Sequence, residues 1–148
     1  MTEVNATVTE ALQQSVVDLI ALELQSKQAH WNIRGEQFRS LHLALDEVVD
    51  QARTLADEVA ERLAQVGGTP DGRPETVAAT TVLAPIDAGI LETGKTYVLM
   101  AEKVQQVSDK VKEAIKPVDD VDPVSGDILI ATSEALDQQA WLLRSATE

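Results

Sequence analysis

Apolar residues recur along this chain at the three- and four-residue spacing of helices that bury one face. Leu12, Val16, Leu19, Ile20 and Leu24 predict a first helix from about Thr7 to Asn32, after a short frayed arm over residues 1–6. Asn32-Ile33-Arg34-Gly35 reads as a turn, with Gly35 the residue expected at positive φ. Leu41, Leu45, Val48, Leu55, Val59 and Leu63 predict a second helix from Glu36 to Val66, stopped by Gly67-Gly68-Thr69-Pro70. A Gly-, Pro- and Thr-rich connection of about 19 residues follows, long for a helical domain. A short helix over Glu75–Thr80, with Pro74 at its first position, makes that length tolerable. Ile90, Tyr97, Met100, Val104, Val107 and Val111 predict a third long helix over Ile86–Ile115, ended by Lys116-Pro117. Ile128, Ile130, Leu136, Trp141 and Leu142 predict a fourth, over Ser125–Ser145.

Four long helices with one long crossover between the second and third describe an all-α chain. The layout is that of a ferritin-like four-helix bundle with a short helix in the crossover, not an up-down-up-down one. The length suits a single domain spanning 1–148. No segment is apolar and long enough to cross a membrane, and the N-terminus has no secretory pattern, so a cytoplasmic protein is expected.

Composition sharpens the chemistry. There is no Cys, so any metal must be held by imidazole and carboxylate groups. The net charge of −13 draws cations and repels nucleic acid. No Lys or Arg precedes Lys27, and the chain ends Arg144-Ser145-Ala146-Thr147-Glu148 with no basic tail, so direct DNA binding is not expected.

The stretch His30 to Glu61 concentrates candidate ligands: His30, His42, Asp46, Asp57 and Glu61. On a helical wheel with His42 at 0°, Asp46 falls at about 40°, Asp57 at about 60°, Asp50 at about 80° and Glu61 at about 100°. Like charges on so narrow a stripe repel unless a cation sits among them. Yet Asp46 and Asp57 are about 16 Å apart along the axis, and His42 and Asp57 about 22 Å. No single ion bridges those distances with bonds of about 2.0–2.2 Å. Either the helix carries two half-sites, or a second copy supplies the missing half. An antiparallel partner helix would set Asp57 and Glu61 of one copy beside His42 and Asp46 of the other. The dyad would then cross near Gln51 and Ala52, where small Ala52 would permit close approach. Such a contact builds the site twice. The bland alternative is a hydrogen-bonded structural His and a solvated carboxylate face.

The same stretch resembles the Dps family of bacterial ferritin-like mini-shell proteins. The resemblance rests on His30-Trp31-Asn32, Gly35, Phe38, Leu41-His42, Asp46 and Asp57-Glu58-Val59-Ala60-Glu61-Arg62. It implies that His30, His42 and Asp46 from one subunit, with Asp57 and Glu61 from its dyad mate, bind iron. It implies a homo-oligomeric shell of twelve subunits. It also implies ferroxidase activity: Fe²⁺ oxidised by hydrogen peroxide or dioxygen, and ferric oxide mineral stored in the cavity against oxidative stress. Trp31, beside His30, is expected either in the core or as an electron donor at the catalytic site. Lys27, one turn before His30, either pairs with a site carboxylate or faces solvent.

Asp119, Asp120, Asp122 and Asp127 fall within nine positions before and into the fourth helix. They resemble the family's acidic pores for ion entry, with Asp122 and Asp127 the leading candidates. Capping of the fourth helix is the competing reading. Two other functions stay in view: a metal-assisted amide hydrolase using the same His/carboxylate site, and a structural helical assembly without catalysis.

Overall fold

In a computed structural model, residues 4–148 are described, and the bundle is built from two helical hairpins. The first pairs α1 (Ala6–Asn32) with α2 (Phe38–Gln65). The second pairs α4 (Thr93–Asp119) with α5 (Pro123–Ser145). The crossover between them carries α3 (Pro74–Thr80). The second helix's stripe is buried as expected, from Leu41 through Leu63, in one core with Leu12, Val16, Leu19 and Leu22 of α1 and Met100, Val104 and Val107 of α4. Half of the expected N-terminal arm, residues 1–3, lies outside the described residues, and the helix begins at Ala6.

Helix ends follow local chemistry. Asn5 caps α1 by accepting from the Val8 amide at 3.3 Å. Glu92 caps α4, its carboxylate accepting from Gly94 at 2.8 Å and Lys95 at 2.9 Å. Gly35 adopts φ +127°, as the turn required, and a side chain there would collide with Thr93, since a Cβ would lie 2.8 Å from Oγ1. That close approach has a purpose the sequence pattern did not show. Ile33–Arg34 (β1) and Leu91–Glu92 (β2) pair as a two-residue parallel ladder, Ile33 opposite Leu91 and Arg34 opposite Glu92.

The ladder also explains why α4 begins at Thr93 and not at Ile86. Residues 91–92 are held extended, and Gly89 at φ +90° turns the chain before them. At its other end α4 runs through Pro117 to Asp119. Proline costs one helical hydrogen bond at that point. Full burial of Val118 and the Asp120 amide on the Lys116 carbonyl at 3.1 Å keep the last turn wound.

The fourth helix buries Leu129, Thr132, Ser133, Leu136, Ala140 and Leu143. Ile130, Trp141 and Leu142, expected on its inner stripe, lie on the exposed side. Leu24 at the far end of α1's stripe is also exposed, and Ile90 lies exposed outside any helix.

Side chains from the bundle order the crossover. Asp18, fully buried on α1, accepts from the Thr81 hydroxyl at 2.8 Å, the Val82 amide at 2.9 Å and Gln14 at 3.1 Å. The Ala84 carbonyl accepts from Gln25 at 3.0 Å and from the buried Lys103 ammonium at 2.7 Å. Every polar backbone group tied this way replaces a lost water contact, which is how a long connection packs without regular structure.

Candidate metal centre

The turn at residues 33–37 folds the end of α1 onto the start of α2 and brings the two histidines face to face. Their ring centroids are 3.6 Å apart and their planes 14° from parallel. His30 Nδ1 donates to the His42 carbonyl at 2.7 Å, and His42 Nδ1 donates to the His30 carbonyl at 2.8 Å. A carbonyl oxygen only accepts, so both protons sit on Nδ1. In the neutral rings Nε2 is then the lone-pair nitrogen, the state a metal requires. The His30 carbonyl lies in the last turn of α1, where no helical amide reaches it, so the second bond also caps that helix. Phe38 extends the stack, its ring centroid 5.1 Å from that of His42. Residues 38 and 42 are one helical turn apart, a spacing from which this contact could have been read.

Asp46 completes the cluster. Its Oδ1 lies 3.6 Å from His30 Nε2 and accepts from Lys27 Nζ at 2.6 Å. Lys27 thus pairs with a site carboxylate, one of its two expected fates. That hydrogen bond is the main reason the Asp46 carboxyl titrates below its ordinary value, with the nearby His30 adding to the effect. Trp31 points the other way: 62% of it is exposed, so the core-packing expectation fails. At the end of α1 the bundle buries His30 and leaves the next residue outside.

Asp57 and Glu61 are exposed on the same unbroken α2 and have no hydrogen-bond or ion-pair partner among the described residues. Since α2 is continuous, the axial separation of the two halves stands. Among the described residues, no three His, Asp or Glu side chains gather within one chain as a set able to hold a metal ion. Asp57 lines a surface groove of about 580 Å³ with Val16, Ile20, Glu23, Arg53 and Ala60. Ala52 does not face that side. It is fully buried in the chain's own core, so it cannot form the close contact expected of it at a dyad.

The acidic stretch divides. Asp122 caps α5, accepting from the Val124 amide at 3.2 Å and from the Ser125 hydroxyl, and pairs with Arg62 Nη2 at 2.9 Å. Burial opposes ionisation of its carboxyl, but the hydrogen bonds from Ser125 and Arg62 outweigh it and hold the group below its ordinary value. Its carboxylate is already committed within the chain. Asp120 pairs with Lys116 at 3.0 Å. Asp119 and Asp127 are exposed, and neither has a partner among the described residues. Gly126 lets the end of α4 approach α5, since a Cβ there would lie 2.9 Å from Asp119 Cα.

Comparison with known proteins agrees with this architecture. The ferritin-like domain family matches residues 9–148. The chain is 35% identical to a DNA protection during starvation protein of Agrobacterium fabrum, over 95% of this chain and 87% of the relative. It is 32% identical to DNA protection during starvation protein 2 of Deinococcus radiodurans, covering 92% of this chain but spanning only 56% of that protein's length. A solved structure of Dps from Microbacterium arborescens in a high iron form superposes with a TM-score of 0.86 at 30% identity, covering 99% of this chain and 98% of the other.

Proposed function

The chain belongs to the Dps family of ferritin-like proteins, and on that premise we propose that it is an iron-storing ferroxidase whose sites are shared between subunits. The observation that carries this reading is the histidine pair. Two imidazoles with protons on Nδ1 keep Nε2 lone pairs, and that of His30 lies 3.6 Å from the Asp46 carboxylate. Imidazole and carboxylate together suit Fe²⁺. The high iron form of the Microbacterium relative supports iron as the cargo.

In this reading His30, His42 and Asp46 hold Fe²⁺ on one side, and the partner's Asp57 and Glu61 close the site from the other. Two Fe²⁺ give one electron each to hydrogen peroxide, which takes up two protons and leaves as two waters. The paired transfer avoids hydroxyl radical. Dioxygen is the alternative oxidant. Trp31, exposed next to His30, gives up an electron to stray oxidant in this reading. Ferric oxide then accumulates inside a closed shell of twelve chains. Asp119 and Asp127 supply free carboxylates that draw Fe²⁺ toward it.

Protection of DNA, the role in the relatives' names, is read here as chemical: removal of Fe²⁺ and peroxide. Among the described residues, ion pairs engage eight of the chain's twelve cations, which leaves little for phosphate against a net charge of −13.

The test is anaerobic loading with Fe²⁺ followed by peroxide. Ferric absorbance should rise with about two Fe²⁺ oxidised per peroxide, faster than in protein-free buffer, as electron balance at a shared site requires. Oxidation no faster than in buffer would overturn the reading.

A further inference from the structure

The exposed face of α2 carries a second relationship, between residues that are not metal ligands. The proposed sharing of sites pairs His42 with the partner's Glu61 and Asp46 with the partner's Asp57. Both pairings are symmetric about a point between Gln51 and Ala52. Asp50 and Arg53 are symmetric about the same point. Both lie on the ligand stripe, at about 80° and about 20° on the wheel that sets His42 at 0°. Burial of Ala52 removes the small residue from this face and leaves these two charges at its centre.

Their present contacts fit that place. The Arg53 side chain is 77% exposed and uses one nitrogen, Nη1, on Glu23 Oε1 at 2.9 Å. Glu23 anchors it, and the rest of the guanidinium fork stays open. Asp50 is exposed and has no hydrogen-bond or ion-pair partner among the described residues. Unpaired, two copies of Asp50 brought together at a dyad would repel.

We propose that, at the dyad of the shared sites, Asp50 of each copy pairs with the partner's Arg53. The pairing sits between the two metal sites and sets their register. One charge pair occurs twice across the dyad, so four charges alternate in sign at its centre. A slip of one helical turn would bring Asp50 away from Arg53 and toward Asp57, and the mismatch penalises it. The proposal rests on the shared-site reading for its register, but charge reversal tests it alone.

Asp50→Arg makes the central patch all cationic, and Arg53→Asp makes it all anionic. Each variant alone should dimerise about tenfold more weakly than the native chain, as close interfacial charge pairs do when reversed. The two variants mixed should form a heterodimer, because every facing pair is again opposite in charge. The double variant Asp50→Arg/Arg53→Asp should recover assembly by itself. Sedimentation of the full chain at low salt measures all four, and helical circular dichroism confirms folding. Single variants that assemble like the native chain would overturn the proposal, as would a mixture that fails to recover. Failure to recover alongside intact, Asp57-dependent Co²⁺ binding by the native chain would defeat the charge register alone. Recovery without Asp57-dependent Co²⁺ binding would defeat the shared metal site alone.

Discussion

His30 and His42 each donate Nδ1–H to the other's main-chain carbonyl, at 2.7 and 2.8 Å. One pair of bonds therefore does two things. It closes the α1–α2 hairpin and it fixes which nitrogen of each ring is free. Structure and chemistry are coupled at this point, and the coupling can be measured.

His42→Ala should weaken metal binding and also destabilise the chain by about 1–3 kcal/mol, because it leaves the His30 carbonyl without its donor. The Phe38 stack is lost with it. Urea unfolding of the metal-free protein reads the stability term separately from metal. An unchanged midpoint would show that the reciprocal bonds carry no net stability.

Lys27 occupies the Asp46 oxygen that a metal would use. Lys27→Gln should tighten Co²⁺ or Zn²⁺ binding by about two- to fivefold, the scale of a partly exposed ion pair. It should also raise the Asp46 carboxyl toward its ordinary value of 3.8, since the Lys27 hydrogen bond is the largest cause of its depression. Carboxyl carbon shifts followed by NMR across acidic pH check the second part, and calorimetric titration checks the first.

Asp122 and Asp127 should separate in their effects. Asp122→Ala removes a cap and leaves Arg62 without its carboxylate, at a cost of about 1–3 kcal/mol. The Asp122 carboxyl is depressed in the folded chain, so its contribution is complete above an unfolded value near 3.8 and is lost as pH falls below it. Thermal scans at descending pH should show the native chain approaching the variant. Asp127→Asn should leave stability unchanged and slow Fe²⁺ uptake into the assembled shell, read by stopped-flow absorbance.

Gly126→Ala should destabilise by about 1–3 kcal/mol, because its Cβ would meet the Asp119 backbone and side chain at close range. Melting temperature measures this directly.

Most of the fold was legible because long helices with one buried stripe repeat their signal over many turns. Leu41 to Leu63 needed nothing beyond that spacing. The failures have local causes. Helical spacing does not mark the start of α4, because the two-residue ladder between Ile33–Arg34 and Leu91–Glu92 that sets it joins residues far apart in sequence. Pro117 does not stop α4, because burial of Val118 outweighs one missing hydrogen bond. Of the two places open to Trp31, the core and the surface of the site, its neighbour His30 takes the buried position and Trp31 lies exposed. In α5 the buried stripe runs through Leu129 and Leu136, while the bulkier Ile130 and Trp141 lie outside it.

At the site, the residue types and the helical spacing identified the candidates. Spacing could not give the reciprocal histidine bonds or the choice of Asp46 by Lys27, since both require the hairpin to be closed. It also could not separate the acidic residues near α5. That distinction depends on Arg62, which comes from α2, about 60 positions away by sequence offset.

The sharing of one metal site by two chains is tested most directly by complementation. His42→Ala and Asp57→Ala chains are each assembled alone and then co-refolded in equal amounts, and high-affinity Co²⁺ sites are counted under anaerobic conditions. Each variant alone should show none, because every shared site lacks a ligand. Random pairing should restore about a quarter of the native sites, since half the dimers are mixed and each mixed dimer contains one intact site of two. Native-like binding by either variant alone, or no recovery on mixing, would contradict a site built across the dyad.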